Sequence, residues 1–242
     1  MNTTKIKLPG IGNYFVEEAF NVLRTNIQFC GQDIKVIALT SVMQNEGKTV
    51  LALHLGRSLS ELGKRVLVID SDLRKSVMAG RNSNSKNVTG LSEVITGMEL
   101  LEDCIFTTQY PGLEILFSGK YPPNPVEILN GRYFSKLIEK VRSVYDYVII
   151  DTPPLGMVID TAVIAVHCDG VILVIGNNHI RYRDARNVVN QIEKSGCNIL
   201  GVVLNNASSD RKGYYSSKKN YGYYYRGSKK QEAYTANKKP EE

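Results

Sequence analysis

The segment Ser41–Thr49 carries residue types that phosphate chemistry requires. It reads Ser-Val-Met-Gln-Asn-Glu-Gly-Lys-Thr. The glycine lets backbone N–H groups approach phosphate oxygens, the lysine reaches β- and γ-phosphates, and the threonine hydroxyl binds Mg²⁺. A complete motif would also place glycine at position 42, where this chain has Val42. The segment predicts a nucleotide-binding phosphate loop, with an ordinary polar turn as the alternative. The residues predicted to contact the nucleotide here are Gln44, Asn45, Glu46, Gly47, Lys48, Thr49 and Val50.

Three aspartates follow short apolar runs that are predicted to be strands. Asp70 and Asp72 come after Val66–Ile69, and Asp151 comes after Val148–Ile150. In a parallel sheet the ligand crevice lies outside the carboxyl ends of the strands, so these carboxylates should share one edge with the phosphate loop. A single such aspartate could equally cap a helix. Three of them beside a Gly-Lys-Thr segment predict a Mg²⁺–nucleotide site.

The apolar pattern predicts an α/β fold, a mainly parallel sheet with helices on both faces. The predicted strands are 35–40, 65–70, 113–117, 147–151, 170–175 and 200–204. The predicted helices are 14–29, 48–62 and 184–195, and residues 125–144 are predicted to be mostly helical. Residues 1–12 are predicted to be a loose leader and residues 79–88 a surface loop. The predicted organisation has three parts: a leader with a helix over 1–34, a nucleotide-binding domain over 35–207, and a disordered tail over 208–242.

The tail concentrates both the charge and the tyrosines of the chain. Nine basic and three acidic residues in 211–242 give a net charge of +6, which is the formal charge of the whole chain. From Ser208 onwards there is no Val, Ile, Leu, Met or Phe. Such a segment cannot bury enough apolar surface to offset the entropy of ordering it. The pI near 9.0 therefore describes the tail and is poor evidence for a nucleic-acid-binding domain. The tyrosines predicted to be presented there are Tyr214, Tyr215, Tyr221, Tyr223, Tyr224 and Tyr225.

The four cysteines are far apart in the sequence and form no Cys-x-x-Cys pair. This spacing argues against a zinc site and a disulfide framework, and it favours a reducing cytosol. We expect no signal peptide, and no apolar run approaches the ~20 residues that a membrane-spanning helix needs.

Taken together, the motifs resemble those of bacterial tyrosine kinases of capsular and exopolysaccharide synthesis, which are related to the partition and septum-site ATPases. The matching segments are Glu18–Phe29, Ser41–Thr49, Ile69–Lys75, Ser118–Leu129, Tyr145–Pro154 and Gly201–Asn205. The resemblance implies a P-loop NTPase fold and transfer of a phosphoryl group from ATP, with Mg²⁺, to protein tyrosines.

The resemblance also implies roles for particular residues. The implied catalytic residues are Lys48, Asp70, Asp72 and Asp151, with Asp70 nearest the incoming phenol. The implied metal ligands are Thr49, Asp72 and Asp151. The position of Asn205 resembles one that recognises adenine, although an asparagine after a strand is also an ordinary turn residue. Arg74 and Lys75 could neutralise charge on the transferring phosphate or form a solvated pair.

Two positions depart from the patterns of these families. The partition and septum-site ATPases carry a second lysine early in the loop, where this chain has Met43, which weakens the interpretation as a partition ATPase. The kinases show Glu-x-x-Arg-x-x-Arg in their first helix, for assembly into a ring. Here the pattern is Glu18, Asn21 and Arg24, so the middle arginine is missing. Glu18 and Arg24 are the expected ring contacts, with a solvated helix face as the alternative.

The favoured hypothesis is a kinase that phosphorylates its own tail tyrosines, in trans within a ring-like homo-oligomer. By resemblance, its activator would be a membrane polysaccharide co-polymerase on a separate chain, which would hold the kinase at the inner face of the membrane. No nucleic-acid partner is expected. Two alternatives remain open: a partition or positioning ATPase whose basic tail binds DNA or membrane, and a non-enzymatic nucleotide-switch adaptor.

Overall fold

The centre of the protein is an eight-stranded sheet. The computed structural model describes residues 2–6, 8, 14–82, 88–177 and 180–207. The strands are β1 Asn2–Ile6, β2 Val36–Ser41, β3 Val66–Asp70, β4 Ile105–Thr108, β5 Leu113–Leu116, β6 Tyr147–Asp151, β7 Gly170–Gly176 and β8 Ile199–Asn205. Their order across the sheet is β1-β4-β5-β3-β6-β2-β7-β8. Every neighbouring pair is parallel except β4 and β5, which are antiparallel. The predicted α/β class is confirmed.

Nine helices within the described residues connect and cover these strands. They are α1 Tyr14–Phe29, α2 Lys48–Ser60, α3 Met78–Asn82, α4 Leu91–Ile95, α5 Leu101–Cys104, α6 Pro125–Leu129, α7 Arg132–Val144, α8 Asp160–Ala165 and α9 Tyr182–Lys194. None of the helices in the described part of the chain combines the length and apolar character needed to cross a bilayer.

The central strands are buried on both faces, which explains why they read as continuous apolar runs. Along β3, Val66 and Val68 belong to the core layer that contains α2. Leu67 and Ile69 belong to the opposite layer, which contains α7. Because side chains alternate along a strand, one short segment holds helices on both sides of the sheet. This double anchoring fixes the carboxyl end of β3, where the aspartates begin.

Two predicted loops contain regular structure. Residues 2–6, predicted to lie in a loose leader, form β1 and pair in parallel with β4 at the edge of the sheet. The predicted surface loop 79–88 begins inside helix α3, while residues 83–87 lie outside the described residues. The expectations were wrong for residues 2–6 and 79–82, because these segments lack an apolar period and their conformation depends on neighbours that are distant in sequence.

Residues 125–144 were predicted to be mostly helical, and this is confirmed. They form α6 and α7, separated by Asn130 and Gly131, and the backbone of Gly131 is extended. Strand β4 was not predicted because four residues are too few to establish a period. The other predicted elements are confirmed with ends that differ by at most two residues. The predicted disorder of 208–242 and its six candidate acceptor tyrosines lie outside the described residues.

Candidate nucleotide and phosphoryl-transfer site

The phosphate loop connects β2, in the middle of the sheet, to the first turn of α2. Helix α2 begins at Lys48, and Gly47 precedes it with a left-handed backbone, φ 89°. A Cβ atom on Gly47 would lie 2.0 Å from Nδ2 of Asn205. Glycine is therefore required both by the backbone conformation and by the packing. The arrangement directs the N-terminal backbone N–H groups of α2 into the crevice, as a phosphate site requires.

Glu46 and Asn205 support the loop from behind. The buried carboxylate of Glu46 accepts hydrogen bonds from the backbone N–H groups of Met43 and Gly176, each 2.7 Å long. Asn205 Nδ2 donates a 2.9 Å hydrogen bond to the backbone carbonyl of Glu46. Since the Glu46 side chain is tied to β7, its predicted contact with a nucleotide can only involve its backbone.

The crevice lies at the carboxyl edge of the sheet, next to this loop. Its lining residues are Gln44, Asn45, Gly47, Lys48, Thr49, Val50, Asp72, Lys75, Val77, Asp151, Thr152 and Pro154. Six of the seven predicted loop residues are among them, and Asp72 and Asp151 also line it. Neither Glu46, Asn205 nor Asp70 does. The sequence interpretation missed Val77, Thr152 and Pro154. Thr152 and Pro154 could have been found because they lie within three residues after Asp151.

Lys48 is largely buried at the base of the crevice. Its Nζ donates a 3.0 Å hydrogen bond to the hydroxyl of Ser41, a residue that was not predicted to take part in the site. Burial lowers the pKa of Lys48, and the charges of Asp151, Asp72 and Glu46 oppose that shift. A phosphate group would add further negative charge, so its binding would favour the protonated lysine.

Asp151 and Asp70 lie opposite one another on the adjacent strands β6 and β3. Burial raises the pKa of Asp151 to about 6, against the lowering effects of a hydrogen bond from the Thr49 hydroxyl and of the Lys48 charge. Its Oδ1 atom is buried and has no hydrogen-bond partner among the described residues. A buried carboxylate oxygen without a partner is costly and is suited to accept a cation or a proton.

Asp70 is buried beneath the crevice and does not face it. Its carboxylate accepts hydrogen bonds from the hydroxyl of Ser76, at 2.5 Å, and from the backbone N–H of Asp72, at 3.2 Å. Burial, together with the nearby charge of Asp151, raises the pKa of Asp70 well above its usual range. The expected approach of Asp70 to an incoming phenol therefore requires Ser76 to release it.

The residues present fit a magnesium ion that is shared with a nucleotide. Thr49 and Asp72 line the crevice beside the unpartnered Oδ1 of Asp151. Among the described residues, no group of three or more His, Cys, Asp or Glu side chains converges as a complete metal cage. Mg²⁺ in nucleotide sites commonly takes only one or two carboxylates and completes its shell with phosphate oxygens and water. Thr49, Asp72 and Asp151 meet that requirement.

The two expected ring residues have different environments. Arg24 is turned toward its own chain, where Nη1 donates to the backbone carbonyl of Ser58, at 2.8 Å, and to its hydroxyl, at 3.2 Å. Glu18 is exposed and accepts a long hydrogen bond of 3.4 Å from Asn21. Arg24 thus fastens α1 to α2, a role that the sequence spacing did not indicate.

Comparisons with known proteins agree with this geometry. Residues 34–199 match the family model described as an AAA domain. The chain is 44% identical over 192 residues to tyrosine-protein kinase CpsD of Streptococcus agalactiae serotype Ia, an alignment that spans 79% of this chain and 83% of that protein.

Solved structures of a tyrosine kinase domain and of a septum-site protein are also similar to this chain. The kinase domain of the Escherichia coli tyrosine kinase ETK is similar, with a TM-score of 0.76 and 29% identity. The alignment covers 83% of this chain and 79% of that chain. The septum site-determining protein MinD of Pyrococcus horikoshii, solved with Mg-ADP, is similar with a TM-score of 0.59 and 27% identity, covering 71% and 70% of the two chains. The chain therefore belongs to the bacterial tyrosine-protein kinases, which are built on a P-loop ATPase fold.

Proposed function

We propose that this kinase uses ATP and Mg²⁺ to phosphorylate the tyrosine cluster of its own C-terminal segment. The observation that carries the proposal is a phosphate crevice, lined by Lys48, Thr49, Asp72 and Asp151, in a chain that places half of its fourteen tyrosines in its last 29 residues. The proposed acceptors are Tyr214, Tyr215, Tyr221, Tyr223, Tyr224 and Tyr225.

The proposed nucleotide contacts are the loop residues 44–50, with Asn205 supporting the loop next to the base. Thr49, Asp72 and Asp151 are proposed to hold Mg²⁺, directly or through water, which when bound supplies positive charge to the phosphate oxygens. Lys48 neutralises the β- and γ-phosphates. The alignment of the chain with a relative solved as a Mg-ADP complex supports this choice of cofactors.

In the proposed step, the phenol oxygen forms a bond to the γ-phosphorus of ATP as the bond to the β–γ bridging oxygen breaks. The electron pair of the broken bond remains on ADP. A phenol has a reference pKa near 10 and is almost fully protonated at pH 7. Because phosphoryl transfer passes through a loose transition state, that proton can leave late. Asp70 receives it once the Ser76 hydroxyl has moved away.

The geometry of the chain makes transfer between subunits feasible. Some 15 residues separate Asn205 from Tyr221, and they span at most roughly 50 Å when fully extended, at about 3.3–3.6 Å per residue. This reach is enough for a tail to enter the crevice of a neighbouring copy in a ring-like assembly. We therefore propose phosphorylation in trans, with Glu18 and Arg24 in the region of contact between copies.

Phosphorylation would reverse the charge of the tail. Each phosphate adds about −1.5 to −2 charges, so four would add roughly −6 to −8 to a segment that carries +6. We propose that this reversal regulates the assembly and, through it, capsular or exopolysaccharide synthesis. The proposed activator is a separate membrane polysaccharide co-polymerase that holds residues 35–207, the kinase domain, at the inner face of the membrane.

Mapping phosphotyrosine by mass spectrometry after incubation with ATP and Mg²⁺ tests the proposed acceptors. Label confined to the six tail tyrosines is the expected result, and substitution of all six by phenylalanine should remove it. Release of free phosphate without protein label would instead support a positioning ATPase. Absence of both would support a nucleotide-switch adaptor.

Mixing two variants that cannot label themselves tests transfer in trans. The Lys48→Met protein retains acceptor tyrosines but lacks the phosphate-binding lysine, while the six-phenylalanine protein retains an intact crevice. Neither should label itself. Label on the Lys48→Met chain in the mixture shows transfer between subunits, whereas an unlabelled mixture beside a self-labelling parent restricts transfer to a single chain.

A further inference from the structure

The two basic residues that follow Asp72 have different surroundings. Arg74 is bound by Asp160, whose side chain is completely buried, while 36% of the Arg74 side chain is exposed. Lys75 instead lines the nucleotide crevice, and within the described part of the chain no ion pair to its ammonium group is found. Residues adjacent in sequence therefore have separate tasks.

Arg74 and Asp160 form a two-point contact. Nε of Arg74 lies 2.7 Å from Oδ2 of Asp160, and Nη2 lies 3.1 Å from Oδ1. The pair joins the loop after β3 to the first residue of α8, which follows β6. A two-point arginine–carboxylate contact fixes direction as well as distance. Asp72 and Asp151 belong to the two segments that this contact connects.

The side chain of Asp72 also fixes the loop after β3. Its Oδ1 accepts hydrogen bonds from the backbone N–H groups of Arg74, at 3.2 Å, and Lys75, at 2.9 Å. The backbone N–H of Lys75 is therefore held by Asp72, while its side chain is exposed and lines the crevice. A flexible ammonium group on a fixed backbone can follow charge that moves during a reaction.

Transfer of a phosphoryl group shifts negative charge between the γ-phosphate oxygens and the bridging oxygen, and a second cation near these atoms accelerates it. Among the residues that line the crevice, the side chains with positive charge are Lys48 and Lys75. Lys48 is buried next to Ser41, whereas Lys75 is exposed to solvent.

We propose that Lys75 is a second catalytic lysine, whose ammonium group contacts a γ-phosphate oxygen during transfer, and that Arg74 and Asp160 are its positioning residues. The reaction remains the transfer of phosphoryl from ATP to a tyrosine oxygen, with the electron pair of the broken bond left on ADP. Lys75 donates hydrogen bonds to the phosphate and transfers no proton. The inference rests on the kinase activity and holds whichever tyrosine is the acceptor.

Replacing Lys75 tests its role directly. With the Lys48→Met protein as acceptor and saturating ATP, Lys75→Met should lower the rate of phosphotyrosine formation by about 100-fold, the usual cost of removing one group that stabilises a transition state. Its Kd for a fluorescent ATP analogue should stay within about 3-fold of the parent, and Lys75→Arg should recover most of the rate. The matched control is Lys194→Met, at the exposed end of α9, which should match the parent.

A second measurement does not depend on any acceptor. ADP with aluminium fluoride and Mg²⁺ imitates the transferring phosphoryl group, so Lys75→Met should weaken this complex by at least about 30-fold while ADP alone binds as in the parent. If Lys75→Met weakened the binding of ADP alone and of the ADP–aluminium fluoride complex equally, Lys75 would be a ground-state contact and the proposal would be overturned. A Lys75→Met rate within 2-fold of the parent would also overturn it.

Combining variants of Arg74 or Asp160 with Lys75→Met tests whether Arg74 and Asp160 position Lys75. Arg74→Lys keeps the charge opposite Asp160 but loses the two-point contact, and Asp160→Asn keeps the shape of the side chain. Each should lower the transfer rate by about 10-fold with little change in nucleotide Kd. In either background, Lys75→Met should cost far less than 100-fold, because residues that act through one another are not additive. Fully multiplicative losses would show that Arg74 and Asp160 stabilise the fold without positioning Lys75.

Discussion

The side-chain amide of Asn205 donates a hydrogen bond of 2.9 Å from Nδ2 to the backbone carbonyl of Glu46, so the last strand of the sheet supports the phosphate loop. Asn205 stands at the end of β8, 159 residues along the chain from its partner. The contact fills the space where any side chain on the neighbouring Gly47 would lie. The shape of the loop therefore depends on β8 as well as on its own sequence.

Gly47→Ala should abolish nucleotide binding, because its Cβ would lie 2.0 Å from Nδ2 of Asn205 on a backbone at φ 89°. The matched control is Gly63→Ala, which has φ +75° but no atom within 4 Å of the added Cβ. Both variants should lose about 1 kcal/mol of unfolding free energy from left-handed strain. Only Gly47→Ala should also lose binding of a fluorescent ATP analogue, measured by titration. Equal binding by the two variants would contradict this account of the loop.

Asn205→Ala separates loop support from recognition of adenine. If the amide mainly holds the loop, the variant should bind ATP, GTP and inorganic triphosphate more weakly by similar factors, about 5- to 10-fold for one lost hydrogen bond of about 1–1.5 kcal/mol. Isothermal titration with the three ligands measures this directly. A loss restricted to ATP, with triphosphate binding unchanged, would favour direct contact with the base.

Most of the nucleotide crevice could be predicted from the sequence because its parts are local. Gly47, Lys48 and Thr49 are consecutive, and Asp72 and Asp151 closely follow apolar strands whose carboxyl ends meet in any parallel sheet. The buried strands were predicted for the same reason, since a run that is apolar on both faces is visible in the sequence.

What the sequence could not predict depends on contacts between distant segments. The orientation of Glu46 into β7 and the pairing of Arg74 with Asp160 require the positions of neighbours far along the chain. The hydrogen bond from Ser76 to Asp70 spans six residues and depends on the path of the loop after β3. A motif specifies which residue types occur but not which side of the loop each faces. For the same reason β1, a strand without an apolar period, was predicted to be loose.

Asp151→Asn should alter how the stability of the nucleotide-free protein depends on pH. The pKa of Asp151 is raised from 3.8 to about 6 in the folded state, so the folded protein holds this proton more tightly than the unfolded chain. Unfolding free energy should therefore fall as pH rises from about 4 through 6. Asp151→Asn removes this loss and should gain about 1–3 kcal/mol relative to the parent at pH 7.5, at 1.36 kcal/mol per pKa unit.

Urea unfolding in EDTA at pH 4.5 and pH 7.5 measures the effect. The gain of Asp151→Asn should fall at pH 4.5 to about a third of its value at pH 7.5, because the unfolded carboxyl, with its pKa of 3.8, is already largely ionised there. Some slope should persist in the variant because Asp70 also has a raised pKa. Asp184→Asn, on an exposed position of α9, is the control and should match the parent. An Asp151→Asn protein that is less stable than the parent by the same amount at both pH values would show that its hydrogen bond from Thr49 outweighs the cost of burying the charge.

Arg24→Met and Glu18→Gln should differ in stability, although both residues were expected at the contact between copies. Arg24 donates two hydrogen bonds to Ser58, and its buried Nε has no hydrogen-bond partner among the described residues. Loss of the bonds to Ser58 should lower the unfolding free energy of the protein by about 1–3 kcal/mol. Glu18 is exposed, so Glu18→Gln should stay within about 0.5 kcal/mol of the parent.

The assembly state of the two variants then separates a direct contact from an indirect one. Light scattering at matched concentration should show weaker assembly for Glu18→Gln at full stability, because an exposed carboxylate is free to meet a basic group on another copy. Arg24→Met should weaken assembly only together with the docking of α1 on α2, which hydrogen exchange along 14–29 reports. If Arg24→Met dissociated the assembly while exchange in α1 stayed unchanged, a contact of the Arg24 guanidinium with another copy, rather than its bonds to Ser58, would explain the loss of assembly.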